Sequence, residues 1–298
     1  MQVLLLMVDV RYHRIDSMHN HGRLAIDAFP SLFNGNRKGV MVTVNIGKHV
    51  VEMYNSIDEL PIVRFHKYQK LLLVDAGIGS DISAFDQMLE KARRFLVLGK
   101  NDLAQKELEN IRQCIFLIQS EVSPQHRAFA TLVTKIDGKE FTDASDETLN
   151  EITKLLQDAP VKELTAQLDA VKKKIDGELT LYFPKLFADS TIKEYYDILK
   201  QRTLAVLNGI IEGKIDNSEV ERLTTALITY SHPKLFTGSD GVEVQFDRQF
   251  ENLCLILSEQ LHVRPKDYTV LEFYNAFDFV QERAKEAEKA KNKAKRAR

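Results

Sequence analysis

KLLLVDAGIGSDISAFDQML, residues 70–89, joins an apolar run to an aspartate, two glycines one residue apart, and a helical pattern. Two readings compete: the turn cradles a phosphate, or a strand hands over to a helix. A dinucleotide fingerprint requires a third glycine three residues after the second, and Ile82 stands there. A phosphate loop fails too, because the Gly-Lys pairs that begin at Gly47, Gly99, Gly138 and Gly213 are never followed by Ser or Thr. The structural reading is therefore preferred. Gly77 and Gly79 supply backbone freedom in a tight strand-to-helix turn, and Ser80 or Asp81 caps the helix that follows.

One nucleotide reading survives as a minor alternative. An Asp-x-Gly turn after a strand also occurs in sugar-kinase-like ATPases, with Asp75 as the magnesium-side carboxylate. Those proteins need further glycine-rich loops, and the 13 glycines here are scattered singly. Other catalytic patterns are missing: there is no His-Glu-x-x-His, no Gly-x-Ser-x-Gly, and no Cys with a His at nucleophile spacing. His19 and His21 form a metal-like pair that reads better as solvated polar residues. No catalytic residue, cofactor site or metal-ligand set is assigned.

Outward from the opening stretch, periodicity predicts a mainly α protein of helical hairpins or a bundle, with a small β element at about 41–75. VTVNIGKHVVEM (42–53) places two β-branched runs around Ile46-Gly47-Lys48, a hairpin signal. Ile82, Phe85, Leu89, Ala92 and Leu96 step by three or four residues to a stop at Gly99. Ala104, Leu108, Ile111, Ile115 and Ile118 mark a second helix. Ser123-Pro124 starts a third, through Phe129, Leu132, Val133 and Ile136 to Gly138. KIDGKEFTDASDETL is a short extended turn feeding a helix that is acidic at Asp146 and Glu147. From Pro160, Val161, Leu164, Leu168, Val171 and Ile175 repeat as a narrow seam, which fits an amphipathic helix on its own domain or, less well, a coiled-coil partner.

The expected divisions are a poorly ordered extension or translated leader at 1–40, a small β element plus helical domain at 41–138, a helical domain at 139–282, and a basic helical tail at 283–298. Arg37-Lys38-Gly39-Val40 can be encoded by a purine-rich ribosome-binding sequence ahead of Met41, which motivates the leader reading. The two cysteines, Cys114 and Cys254, lie inside apolar runs and read as buried hydrophobes of a reducing compartment. No stretch approaches the about 20 apolar residues of a membrane span, so a cytoplasmic, membrane-free protein is expected.

The formal charge of −2 is uneven. In the tail, Arg283, Lys285, Lys289, Lys291, Lys293, Lys295, Arg296 and Arg298 face two Glu and make +6, which leaves −8 on residues 1–282. A degenerate repeat joins 182–207 to 230–257 through a shared tetrapeptide, Pro184-Lys185-Leu186-Phe187 and Pro233-Lys234-Leu235-Phe236. The prolines fix an extended approach, and the Leu-Phe pairs anchor it in the core or, as the lesser reading, form a docking surface.

SIDELPIVRFHKYQKLLLVDAGIGSDI (56–82), TLVTKIDGKEFTDASDETLNEI (131–152) and EFYNAFDFVQERAKEAEKAKNK (272–293) stand in an order that resembles proteins of tailed-bacteriophage structural modules. The resemblance covers 41–298 in style and short stretches in letters. It implies a non-enzymatic virion component or a tail or baseplate assembly chaperone, acting through contacts with other virion or assembly proteins or with its own copies, in the host cytoplasm or the virion. The alternatives are a nucleic-acid-associated adaptor using the basic tail and, behind it, a nucleotide-binding enzyme using Asp75–Ser80.

Overall fold

The strands form where β-branched residues alternate. Val42–Ile46 (β1) and His49–Met53 (β2) pair antiparallel, with Ile46 opposite His49 and the tight loop Gly47-Lys48 between them. Gly47 sits at φ +56, and its N–H donates to Glu163 Oε2 at 2.8 Å, which ties the hairpin tip to a distant helix. The computed structural model describes residues 41–79, 82–119, 123–187, 190–214, 216–230, 233–236 and 238–296. The expectations for residues 1–40, Ser80, Asp81 and Arg298 lie outside the described residues.

The chain is mainly α, with eleven α-helices and one four-stranded antiparallel sheet of order β1-β2-β3-β4 among the described residues. The β element does not run to 75. Ile62–Ile78 is a helix (α1), because Ile62, Phe65, Tyr68, Leu72 and Leu73 continue one 3.6-residue period into the apolar run, and all are buried. KLLLV resembles a strand only when cut from that period.

The sheet's other half comes from Val133–Ile136 (β3) and Lys139–Glu140 (β4). The helix begun by Ser123, whose hydroxyl accepts from the His126 N–H, covers Pro124–Leu132 (α4) and stops there instead of reaching Gly138. Arg64 explains the break. The residue is 4% exposed, and its guanidinium donates to the carbonyls of Thr131, Val133, Phe141 and Asp143 at 2.6–3.1 Å. Those oxygens gather around one cation only if the chain leaves the helix at Leu132, runs as β3 and returns through β4.

Between α1 and α4 lie Ile82–Val97 (α2) and Asn101–Gln119 (α3), an antiparallel hairpin. After β4 come Asp146–Leu155 (α5), capped by Ser145, then Val161–Tyr182 (α6) and the short Pro184–Phe187 (α7). Ser190–Ile211 (α8) and Asn217–Tyr230 (α9) form a second hairpin. Val242–Leu261 (α10) and Val270–Arg296 (α11) close the chain. A capping box starts α11: Thr269 Oγ1 accepts from the Glu272 N–H and Glu272 Oε2 accepts from the Thr269 N–H.

One core cluster packs Ile46 and Met53 of the sheet against Phe65, Phe129, Leu149, Ile175 and Phe273. Gly138, placed at a domain boundary by the sequence reading, turns the β3–β4 hairpin, and this core draws residues from both sides of it. The α6 seam Leu164, Leu168, Val171 and Ile175 is buried in the same core. A smaller cluster joins Leu73, Val74 and Ile78 of α1 to Met88 and Ala92 of α2, Ile111 and Cys114 of α3, Phe236 and Val242. Cys114 and Cys254 are buried and form no disulfide, and burial pushes the Cys254 thiol up to about 11.

Candidate interaction surfaces

The Asp75–Gly79 stretch is the last turn of a helix, not a strand-to-helix turn. Gly79 caps it at φ +72, donating its N–H to the Asp75 carbonyl at 2.8 Å. The Asp75 carboxylate accepts from Gln125 Nε2 at 2.9 Å. Gly77 has another purpose. It lies inside α1, and a Cβ there would stand 1.7 Å from Cζ of Phe236, so the ring occupies the volume that any side chain would need.

The two Pro-Lys-Leu-Phe segments are built differently. Pro184–Phe187 is one helical turn; Leu186 packs partly on the main core, Lys185 pairs with Glu282 at 3.5 Å, and the Phe187 side chain lies outside the described residues. Pro233 to Phe236 carries no regular structure. The Lys234 carbonyl accepts from Asn110 Nδ2 at 3.0 Å, the Leu235 carbonyl accepts from the Val242 N–H at 2.8 Å, and Phe236 is buried in the smaller core. Anchoring is thus what the second segment does, through Phe236, while Leu235 stays partly exposed and Pro233 half-buried.

The tail continues α11 to Arg296 without a break. The Arg283 guanidinium lies over the Phe279 ring at 5.7 Å, Lys285 pairs with Glu282 at 3.2 Å, and Lys289 is exposed. Lys291, Lys293, Lys295 and Arg296 share the helical backbone, and their side chains lie outside the described residues.

Sequence periodicity missed a set of exposed apolar side chains on α2 and α3. In α2 the inward stripe is Phe85, Met88, Ala92 and Phe95, which shares Phe85 and Ala92 with the expected one but not Ile82, Leu89 and Leu96. Ile82, Leu89 and Leu96 form a second stripe at heptad spacing, 72%, 48% and 54% exposed. In α3, Ala104, Ile111 and Cys114 turn inward with Glu107 and Asn110, while Leu108 and Ile115 remain exposed. Burial raises the Glu107 carboxyl above its usual range. The signal was present: apolar positions over both helices span an arc wider than one core-facing face needs.

A polar cluster between α1 and α10 was also missed. The His66 ring stacks between Phe246 at 4.5 Å and Phe250 at 4.2 Å, and its Nε2 meets Asp247 Oδ1 at 2.9 Å. Lys70 donates to the other Asp247 oxygen at 3.0 Å. Burial lowers the proton affinity of His66, with the Asp247 hydrogen bond opposing it. Burial also opposes the Asp247 charge, but the His66 and Lys70 bonds outweigh it and hold that carboxyl below its usual range.

Among the described residues no group of three or more His, Cys, Asp or Glu stands in position to share a metal ion. No described helix is long and apolar enough to cross a membrane. A cleft of about 230 Å³ lined by His126, Phe129, Ile152, Gln157 and Leu164 has no carboxylate in its wall and is smaller than the about 300–1,000 Å³ of small-molecule sites. No protein family, curated protein or solved structure matches the chain.

Proposed function

We propose that the chain is a non-enzymatic component of a tailed-phage particle or of its assembly, working through contacts with other virion or assembly proteins. The observation that carries this reading is the uncovered apolar face of the α2–α3 hairpin, where Leu89, Leu96, Leu108 and Ile115 stand between charged residues. Several large apolar side chains left exposed on two packed helices of a folded domain are the kind of surface that marks a contact site. The phage setting rests on the resemblance of residues 56–82, 131–152 and 272–293. The test is to remove the chain from a phage genome that encodes it and to examine the particles by electron microscopy. Incomplete particles are expected, and a Leu89→Glu, Leu108→Glu variant that still folds should reproduce them. Normal particles lacking the chain would refute the reading.

A nucleic-acid adaptor is the second reading, favoured by the outward run of Arg283, Lys285 and Lys289 along α11. It requires DNA retention that falls with salt at a log–log slope of about 0.9 per phosphate neutralised and vanishes on truncation after Glu282.

A further inference from the structure

The α8–α9 hairpin carries an apolar face of its own. Leu204, Leu207, Ile210 and Ile211 are 47%, 49%, 61% and 82% exposed. Another side of α8 is covered by α9, where Arg202 Nε donates to Thr224 Oγ1 at 2.8 Å and Leu223 is buried. The exposed stripe extends at both ends into charge. Asp197, Lys200, Leu204, Leu207, Ile211 and Lys214 follow one another at spacings of three and four residues, and Asp197, Lys200 and Lys214 are all exposed. Lys214 comes just past the helix end, after Gly213 at φ +69.

This arrangement is self-complementary in one orientation. Asp197 and Lys214 lie equally far along the chain from the midpoint between Leu204 and Leu207. We propose that a second copy of this chain packs its α8 antiparallel on this face, about a two-fold axis at that midpoint. Leu204 then meets the partner's Leu207, the aliphatic stem of Lys200 covers the partner's Ile211, and Asp197 faces the partner's Lys214. A parallel pair would set Asp197 against Asp197 and Lys200 against Lys200, and would align the helix dipoles unfavourably. Four apolar side chains fall well short of the about 20–30 residues a side of a standard interface, so the dimer is weak and dissociates on dilution. The proposal concerns α8 alone and stands apart from the assembly reading.

Sedimentation velocity of the full chain over about two decades of concentration around micromolar tests it. The wild type should shift from monomer to dimer, and Leu207→Asp should stay monomeric with unchanged circular dichroism. Asp197→Lys and Lys214→Asp should each weaken the dimer several-fold, and the double reversal should restore it. A wild type that stays monomeric throughout, a dimer that survives Leu207→Asp, or a double reversal that fails to restore association would each overturn the proposal.

Discussion

Replacing Gly77 by alanine asks whether the glycine serves the backbone or a neighbour. The residue lies in the last turns of α1, where alanine is the better helix former by about 1 kcal/mol, so backbone considerations alone make Gly77→Ala stabilising. The structure reverses that sign. The new methyl would lie 1.7, 2.3 and 2.6 Å from three ring atoms of Phe236, far inside contact distance. The ring has to leave, and withdrawing a buried phenyl forfeits up to the about 3–5 kcal/mol that Phe→Ala costs in a core. A net destabilisation of about 2–4 kcal/mol follows, a large share of a typical domain's 5–15 kcal/mol or so. Urea denaturation of Gly77→Ala, Phe236→Ala and the double variant forms a cycle that separates the causes. With Phe236 already truncated, the alanine at 77 meets open space and should stabilise by about 0.5–1 kcal/mol. Additive single effects, with the alanine equally harmful in both backgrounds, would refute the reasoning and return Gly77 to a backbone role.

Three further outcomes are expected. Arg64→Met should cost about 3 kcal/mol or more in urea denaturation, because four carbonyls, three of them in buried bonds, lose charge-assisted donors, and loss of the β3–β4 pairing should appear in hydrogen exchange. Stability should fall as pH drops below 6.5, the ordinary imidazole value: burial lowers the proton affinity of folded His66, so the unfolded chain takes up that proton first, and the loss continues until pH passes the folded value. A His66→Gln variant should show a flatter melting-temperature profile over that window; an unchanged slope would exclude this cluster as its source. Deleting residues 283–298 should leave the melting temperature unaltered, since the described contacts of that segment are exposed, and a drop of several degrees would show that the tail packs.

Local signals were legible where one residue type settles one geometry. The Gly47-Lys48 turn, the Ser123-Pro124 start, the acidic first turn at Asp146 and Glu147, and the α6 seam could all be read in the letters because caps, tight turns, helix-end charges and a 3-4 repeat act over a few residues. The two elements that were misread depend on partners far along the chain. α1 looks like a strand at KLLLV because three leucines and a valine have no period of their own, and only Ile62 and Phe65 upstream reveal the helix. β3 looks like the end of α4 because its competing force is a guanidinium 69 residues earlier in sequence, drawing carbonyls that no local propensity predicts.

The same physics limits what periodicity says about surfaces. An amphipathic pattern reports which positions avoid water, not which neighbour keeps the water away. In α2 the residues at 82, 85, 89, 92 and 96 form one continuous seam in the letters, yet Phe85 and Ala92 face the chain's own core or its edge while Ile82, Leu89 and Leu96 face outward. Both sets obey the same spacing because a helix gains as much from burying leucine against another protein as against its own domain. Only the closing of the hairpin on Phe236 and Ile111 decides which half of the seam is spent inside. The half left over is therefore a property of the tertiary structure, and it is the half on which the proposed role in assembly rests.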